Sequence, residues 1–198
     1  MQFYKQTTNY TCAASDLLMI INHYKPLYKL SRRNEFDIWQ KSVVLPVRAS
    51  SIYGLAIYAH EQGVKQKIWV QKLDYEFPDY RFKGYTKEDI EDAKFMTDIY
   101  LKRLKKLNIP INEKNFSIKD IKNLLNDGKK LMIRLDAGVF RTTGRTSNYV
   151  VVAGIKDNYF IIYDSAQGKV YVSEEKFKEA FDDLVERRKR HHKMIIFG

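Results

Sequence analysis

The chain is short of the residues on which several classes of protein depend. It has 198 residues but only one cysteine, four prolines and nine glycines. A single cysteine cannot form an internal disulfide, so a disulfide-stapled domain is excluded and a reducing, cytoplasmic location is expected. No apolar run approaches the roughly 18 residues of a membrane-spanning helix, and the first residues lack the basic and then apolar pattern of a signal peptide.

Acidic residues are also in deficit, with 24 Asp and Glu against 35 Lys and Arg and a net charge of +11. Such a balance can indicate a nucleic-acid or anionic-surface partner. The only dense basic runs are 102–106 and 186–193, and neither is interleaved with aromatic residues at base-stacking spacing. Nucleic-acid binding is therefore the third of three hypotheses. One cysteine and scattered histidines do not match a zinc-ligand spacing, so we predict no metal and no cofactor.

The hydrophobic pattern changes along the chain from a helical to a strand-like period. Helical periods or capping residues predict helices at 11–24, 31–41, 51–63, 86–107, 117–128 and 174–190. Alternating or β-branched runs predict strands at 65–73, 130–138, 147–155, 158–166, 169–173 and 193–198, and 76–85 is typical of a loop or cover. Helices first and antiparallel strands later predict an α+β fold. We expect one domain over 1–198, with a helical half at about 1–128 and a sheet half at about 129–198.

The single cysteine, Cys12, lies where a polar segment runs into the first predicted helix, in YKQTTNYTCAASDLL (4–18). At the first turn of a helix, unpaired backbone N–H groups and the helix dipole stabilise a thiolate. The Gln6 amide, six residues upstream, could donate a second hydrogen bond to a developing oxyanion. The alternative is a small buried thiol beside Ala13 and Ala14, as is common for free cysteines.

Three ordered blocks of the sequence together carry a family resemblance. They are YKQTTNYTCAASDLL, SSIYGLAIYAHEQGVKQKIWV and SNYVVVAGIKDNYFIIYDSAQGK. The chain resembles the papain-like cysteine peptidases of family C39, the bacteriocin-leader-processing type and its stand-alone cytoplasmic relatives. The resemblance implies a papain-like fold whose cleft takes an extended peptide or acyl donor. It also implies that Cys12 is the nucleophile, Gln6 the oxyanion donor and Asp164 the third member of the triad.

The departures from the family pattern bear directly on chemistry. Ala13 replaces a glycine, Ser165 replaces a proline, and Asn148 stands where the general-base histidine belongs. An asparagine amide does not titrate near neutral pH and cannot act as that base. The substitution fits a cleft that has lost hydrolysis, or a deliberate change made to trap a complex. We expect Asp164 either to hydrogen-bond Asn148, directly or through water, or to cap the turn at 165–168.

None of the four histidines is expected to replace the missing base. His23 lies eleven residues along the same helix, roughly 16 Å away in rise, and so cannot reach Cys12. His60 is predicted at a helix boundary, and the sequence does not bring His191 or His192 to the thiol.

Three functions follow from these observations. The first is a cysteine peptidase or acyl/amide-transfer enzyme that uses Cys12, Gln6, Asn148 and Asp164 and is impaired by the missing base. The second is a non-catalytic peptide-binding module on the same fold, and the third is the basic nucleic-acid or anionic-surface binder. Asn148→His is expected to create a Cys–His–Asp triad. Whether the chain is an enzyme, its substrate and its oligomeric state stay open.

Overall fold

The computed structural model of the protein describes residues 1–73, 84–141 and 147–198. Most of the loop predicted at 76–85 falls outside these ranges. Six helices lie within them: α1 (Cys12–Tyr24), α2 (Arg32–Ser42), α3 (Ile52–Glu61), α4 (Lys87–Lys106), α5 (Ile118–Asn126) and α6 (Glu174–Glu186). In the part of the chain that is described, no helix is both long and apolar enough to cross a membrane.

The helix starts follow local signals in the sequence. The predicted caps Ser51, Thr86 and Ser117 each accept a hydrogen bond from a backbone N–H in the first turn. Thr86 and Ser117 also form capping boxes, in which the side chain of an aspartate three residues later accepts a hydrogen bond from the cap's own N–H. The three helices therefore begin where the sequence predicted.

Within the described ranges, seven strands form one sheet and two more form a short ribbon. The ribbon pairs β1 (Val43–Val44) with β2 (Ala49–Ser50). The sheet comprises β3 (Gln66–Val70), β4 (Ile111–Glu113), β5 (Lys130–Asp136), β6 (Ser147–Lys156), β7 (Tyr159–Asp164), β8 (Gly168–Ser173) and β9 (Lys193–Phe197). Its order is β4-β3-β9-β5-β6-β7-β8, antiparallel except for β3 and β4. The fold is α+β, as predicted, but β3 and β4 come from the first half of the chain, so both halves contribute to the sheet.

The hairpin predicted from β6 to β7 is present. Asp157 and Asn158 join its strands, and both have positive φ, 50° and 64°. Two such residues are typical of the tight turn that matches the twist of an antiparallel hairpin, and Asp and Asn tolerate that conformation. This turn fixes the register that carries Asn148, near the start of β6, and Asp164, at the end of β7.

Apolar side chains cover both faces of the sheet. On β5, Leu131, Ile133 and Leu135 belong to a cluster with residues of α5 and α6. Met132 belongs to a second cluster with α1 and α3 on the opposite face. The alternation of side chains along a strand thus places helices on both sides of the sheet.

Helix α1, which begins at Cys12, is buried along most of its length. Its predicted apolar face, Ala14, Leu17, Leu18 and Ile21, is fully buried. The rest of the stretch from 13 to 21 is buried as well, including polar residues. Because α2, α3 and β6 contact this helix, its first residue is held at a fixed place beside the start of β6.

One buried carboxylate, Glu35 of α2, ties the segment before α1 to the helical layer. It accepts hydrogen bonds from Thr7 N–H (2.9 Å), Thr7 Oγ1 (2.7 Å), Tyr4 Oη (3.0 Å) and Ser15 Oγ (2.9 Å), and also from Thr11 Oγ1. Burial alone raises the pKa of this carboxyl, but these donors outweigh burial and leave the pKa below its usual value. The ionised form is therefore the form that the fold stabilises.

We expect Glu35→Gln to lower the free energy of unfolding at neutral pH by about 2 kcal/mol, because hydrogen bonds to a charged group are the stronger ones. The folded pKa lies below the unfolded one, so the ionised carboxylate stabilises the fold above the unfolded pKa of about 4.3. That contribution is lost as the pH falls through the folded pKa. Urea unfolding of both proteins across this range measures the difference.

The matched control is Glu91→Gln on the exposed surface of α4. It removes the same charge and should change stability by less than about 0.5 kcal/mol. A difference between wild type and Glu35→Gln that stays constant down to pH 3 would show that the charge of Glu35 does not matter.

Gly54 allows α3 to approach α2 closely. A Cβ at this position would lie 2.8 Å from the Ser42 Cα and 3.2 Å from Tyr100 Cε1. Alanine is favoured over glycine inside a helix by about 1 kcal/mol, but overpacking a buried contact typically costs about 1–3 kcal/mol. Since the nearest atom belongs to backbone, the clash is the larger effect.

We therefore expect Gly54→Ala to lower the free energy of unfolding by about 1–2 kcal/mol in thermal or urea unfolding. Gly154→Ala is the control, because a Cβ at Gly154 meets no atom within 4 Å. Equal stability of the two variants would contradict the close approach of α2 and α3.

Candidate functional site

Cys12 is the first residue of α1, with Thr11 as the N-cap, so the predicted helix opening is confirmed. The residue is half-buried and packs against the apolar cluster that includes Ala13 and Ala14. Its position at the helix N-terminus brings the Ala13 N–H close to the sulfur, which favours the thiolate.

A cleft of about 180 Å³ opens beside the thiol. Its walls come from the segment before α1 (9–10), the start of α1 (12–13), the end of the β1–β2 turn with β2 (47–50) and the start of β6 (147–149). Arg134 and Arg190 also line it. Helical and sheet elements therefore meet at Cys12. Of the sequence-predicted site residues, Cys12 and Asn148 line this cleft.

Gln6 is held by three hydrogen bonds near the start of α1. Its backbone N–H donates to the Ser165 carbonyl (2.9 Å), its Oε1 accepts from Ser165 Oγ (3.1 Å), and its Nε2 donates to the Thr8 carbonyl (2.8 Å). Ser165 Oγ also lies 3.3 Å from the Cys12 carbonyl oxygen. The serine that replaces the family's proline thus links Gln6 and Cys12 to the end of β7. The oxyanion role of Gln6 stays a prediction.

Asn148 faces the thiol across the cleft. The terminal amide atom nearest the thiol lies 3.8 Å from Cys12 Sγ. In the orientation that satisfies both ends of the amide, this atom is the nitrogen, which donates to the Ser147 carbonyl (2.9 Å). The amide oxygen then accepts from the Arg141 guanidinium, at 2.5 and 3.1 Å. The amide therefore presents N–H to the sulfur and cannot accept the thiol proton.

Asp164 is fully buried at the end of β7, and its main partner is Arg141. The guanidinium binds it in bidentate fashion, with Nε to Oδ2 at 2.5 Å and Nη2 to Oδ1 at 2.7 Å. Asp164 Oδ1 also accepts from the Ala166 N–H (2.9 Å), which caps the following turn. The turn-capping alternative is therefore present, and Arg141 stands between Asp164 and Asn148 where a direct or water-mediated link was expected.

Burial raises the pKa of the Cys12 thiol to about 12. The charge of Asp16, one helical turn away, acts in the same direction, whereas Arg141 and the Ala13 N–H lower the pKa. Asp16 is itself buried, and burial and the charge of Asp164 raise its pKa well above the usual value despite Ser165 and Arg141. Asp16 acts on the thiol only when its own carboxyl is ionised, and the raised pKa of Asp16 favours the neutral carboxyl. Burial is therefore the main cause of the raised thiol pKa. The raised pKa favours the neutral thiol.

None of the four histidines lines the cleft. His23 and His60 lie in the last turns of α1 and α3. His192 is buried, stacked on the Phe181 ring with a centroid distance of 3.5 Å, and its Nε2 lies 2.9 Å from the Phe181 carbonyl oxygen. Across the described ranges, no three His, Cys, Asp or Glu side chains converge as a metal site would require.

Two solved structures share this fold across nearly the whole chain. One is a double glycine motif protease from an AMS/PCAT transporter in complex with the leader peptide, with 16% identity and a TM-score of 0.51 over 99% of this chain and 89% of that one. The other is a Bacillus anthracis protein assigned as a C39-like peptidase, with 12% identity and a TM-score of 0.53 over 100% and 94%. At these identities the likeness concerns the fold alone. No curated protein sequence matches the chain significantly.

A comparison with protein families identifies the family of the chain as well as its fold. The profile described as the Peptidase_C39 like family matches residues 1–198, which is the whole length of the chain. That match agrees with the helix-opening cysteine and the hairpin that carries Asn148 and Asp164. The chain therefore belongs to the Peptidase_C39 like family.

Proposed function

We propose that the Cys12 cleft binds an extended peptide or peptide-like acyl donor, and that in this form it does so with little or no hydrolysis. The carrying observation is the set of contacts around Asn148. An amide occupies the position of the base, and its oxygen and Asp164 are both bound by Arg141. The family, and the fold shared with a protease that was solved with its leader peptide, support a peptide as the ligand.

Hydrolysis needs a group that removes the thiol proton and later protonates the leaving amine. Asn148 presents N–H to the sulfur, and a guanidinium is a donor that does not give up its proton in proteins. Asp164 could accept a proton, but Arg141 and the Ala166 N–H already bind its carboxylate. General acid–base catalysis contributes roughly 10²–10⁴-fold, and that is the factor we expect to be missing.

A second candidate function is slow cysteine peptidase or acyl-transfer chemistry. The observation that favours it is the position of Cys12 at the helix N-terminus, close to the Ala13 N–H and with the Asn148 amide nitrogen 3.8 Å from the sulfur. Both features stabilise a thiolate once it forms. The two candidates differ in whether the thiol ionises near neutral pH.

We expect the rate of Cys12 alkylation by iodoacetamide to rise about tenfold per pH unit from about pH 6 to about pH 10 without a plateau, because only the thiolate reacts. The raised pKa, about 12, lies above that range. Cys12 is the only cysteine, so intact-mass spectrometry reports this one site. A saturating peptide from a short-peptide library should slow the reaction.

A plateau at or below about pH 8 would instead indicate an activated thiolate and favour the second candidate. The chain unfolded in urea is the control, since its thiol should plateau near the ordinary pKa of about 8.5. If no peptide in the library protects Cys12 in the folded chain, the peptide-binding function is wrong.

Restoring the base requires a change at Arg141 as well as at Asn148. Asn148→His alone would place an imidazole beside a guanidinium that already occupies Asp164. We expect Asn148→His/Arg141→Gln to free Asp164 to orient the imidazole, and to raise peptide or amide turnover by roughly 10² or more over wild type. Asn148→His alone should gain much less.

Cys12→Ser in the double variant is the control and should abolish the recovered turnover. Arg141→Gln alone separates the loss of the guanidinium from the gain of a base, and it should show no turnover. Equal turnover of Asn148→His and the double variant would contradict the blocking role of Arg141. No turnover in either variant would favour a cleft that only binds.

A further inference from the structure

The cleft beside Cys12 is lined by three arginines from three separate parts of the chain. Arg48 lies in the turn between β1 and β2, Arg134 in β5, and Arg190 in the segment between α6 and β9. The described residues that line the cleft include no aspartate and no glutamate. Among the described residues of the lining, the argument for positive charge rests on Arg48 and Arg134.

Two of these arginines pack against aromatic rings. The guanidinium of Arg134 lies 5.0 Å from the ring centroid of Tyr149, its cross-strand neighbour, and donates to the Tyr149 hydroxyl at 3.0 Å. The guanidinium of Arg48 lies 5.9 Å from the ring centroid of Tyr10. Stacking on a ring orients a guanidinium but leaves its charge and most of its N–H donors available to a ligand.

Two other arginines of the described chain form ion pairs with buried carboxylates. Arg141 is paired with Asp164 and Arg188 with Asp136, and both carboxylates are fully buried. No described carboxylate forms an ion pair with Arg134 or Arg48. Buried aspartates thus pair with Arg141 and Arg188, whereas aromatic rings contact Arg48 and Arg134 on the walls of the cleft.

We propose that this cleft recognises a carboxylate on its peptide ligand, either an acidic side chain or a free C-terminus. The inference rests on the proposed function and names the chemistry that the ligand presents next to Cys12. A guanidinium matches the planar, two-oxygen shape of a carboxylate through paired hydrogen bonds. A recess of about 180 Å³ takes one such group and its neighbouring atoms, whereas a nucleic-acid backbone needs an extended basic groove.

The only cysteine lies in this cleft, which allows a test with two small reagents that differ only in charge. Iodoacetate carries a carboxylate and iodoacetamide a neutral amide. In both reactions the Cys12 thiolate forms a bond to carbon, iodide leaves, and the thiol proton passes to buffer. The measurement is the ratio of the two alkylation rates in the folded chain, divided by the same ratio in the urea-unfolded chain.

We expect this normalised ratio to exceed one by about three- to tenfold at low salt, the size of a screened charge contact, and to fall as salt is added. Arg134→Gln and Arg48→Gln should each lower it. Changes in the thiol pKa affect both reagents equally and so cancel in the ratio. Arg33→Gln on the exposed face of α2 removes the same charge outside the cleft and should leave the ratio unchanged.

A normalised ratio near one, or a ratio that neither Arg134→Gln nor Arg48→Gln lowers, would overturn the proposal. Because these variants lie on different elements, one that fails to fold leaves the other as the test. Protection of Cys12 by neutral peptides together with a ratio near one would leave the proposed function standing and defeat this inference alone.

Three pentapeptides distinguish the two sources of carboxylate. Their protection of Cys12 is compared among acetyl-Ala-Ala-Glu-Ala-Ala-amide, its Gln counterpart, and the Gln counterpart with a free C-terminus. Stronger protection by the Glu peptide identifies a side chain, and stronger protection by the free acid identifies a C-terminus. Equal protection by all three, or stronger protection by a single-stranded oligonucleotide, would count against a peptide carboxylate.

Discussion

The hydrogen bonds of Glu35 hold the segment on which the candidate site depends. Five donors, from Tyr4 through Ser15, converge on this one buried carboxylate of α2. They join the irregular segment that carries Gln6, the N-cap Thr11 and the first turn of α1 to a neighbouring helix. A short polar segment has little apolar surface of its own to bury, so these charge-assisted bonds supply what packing supplies elsewhere. Cys12 is placed by this anchor at one side and by β6 at the other.

A second buried carboxylate, Asp164, decides what the site can do chemically. In a Cys–His–Asp arrangement, the carboxylate orients an imidazole that shuttles a proton. Here Asp164 orients a guanidinium, and the guanidinium orients the Asn148 amide. Hydrogen bonds still connect the carboxylate to the residue that faces the thiol, but that residue is an amide and has no basic nitrogen to accept the thiol proton. This layout is the basis of our proposal that the cleft binds its ligand with little or no hydrolysis.

The features that could be predicted are those that depend on residues close together in the sequence. Thr86 with Asp89 forms a capping box within four residues, and Asp157 with Asn158 forms a turn within two. Cys12 at the start of α1 follows from the polar run before an apolar period. In contrast, Arg141 binds Asp164 across 23 positions and Glu35 binds Thr7 across 28.

Pairs so far apart leave no periodic or compositional trace in a single sequence. The roles of Arg141 and Glu35 therefore could not be predicted from it. The parallel pairing of β3 with β4 could not be predicted either. The strand β4 is only three residues long, and a long helix separates it from β3. The fold class and the two cleft-lining residues Cys12 and Asn148 were accessible from local patterns and family resemblance. The guanidinium that connects Asn148 to Asp164 was not.

A thiolate at Cys12 and a carboxylate on the proposed ligand would place two negative charges in one cleft, so the ionisation of the thiol and the binding of the ligand affect each other. Burial holds the Cys12 thiol neutral, while Arg141 acts in the opposite direction and favours ionisation. A ligand carboxylate bound among Arg48, Arg134 and Arg190 would disfavour a thiolate beside it by like-charge repulsion. Linkage makes the effect reciprocal, so an ionised Cys12 would weaken the binding of that carboxylate by the same factor. A neutral thiol is thus the state compatible with an anionic ligand, because it leaves Arg48 and Arg134 with no negative charge on Cys12 to compete with a ligand carboxylate.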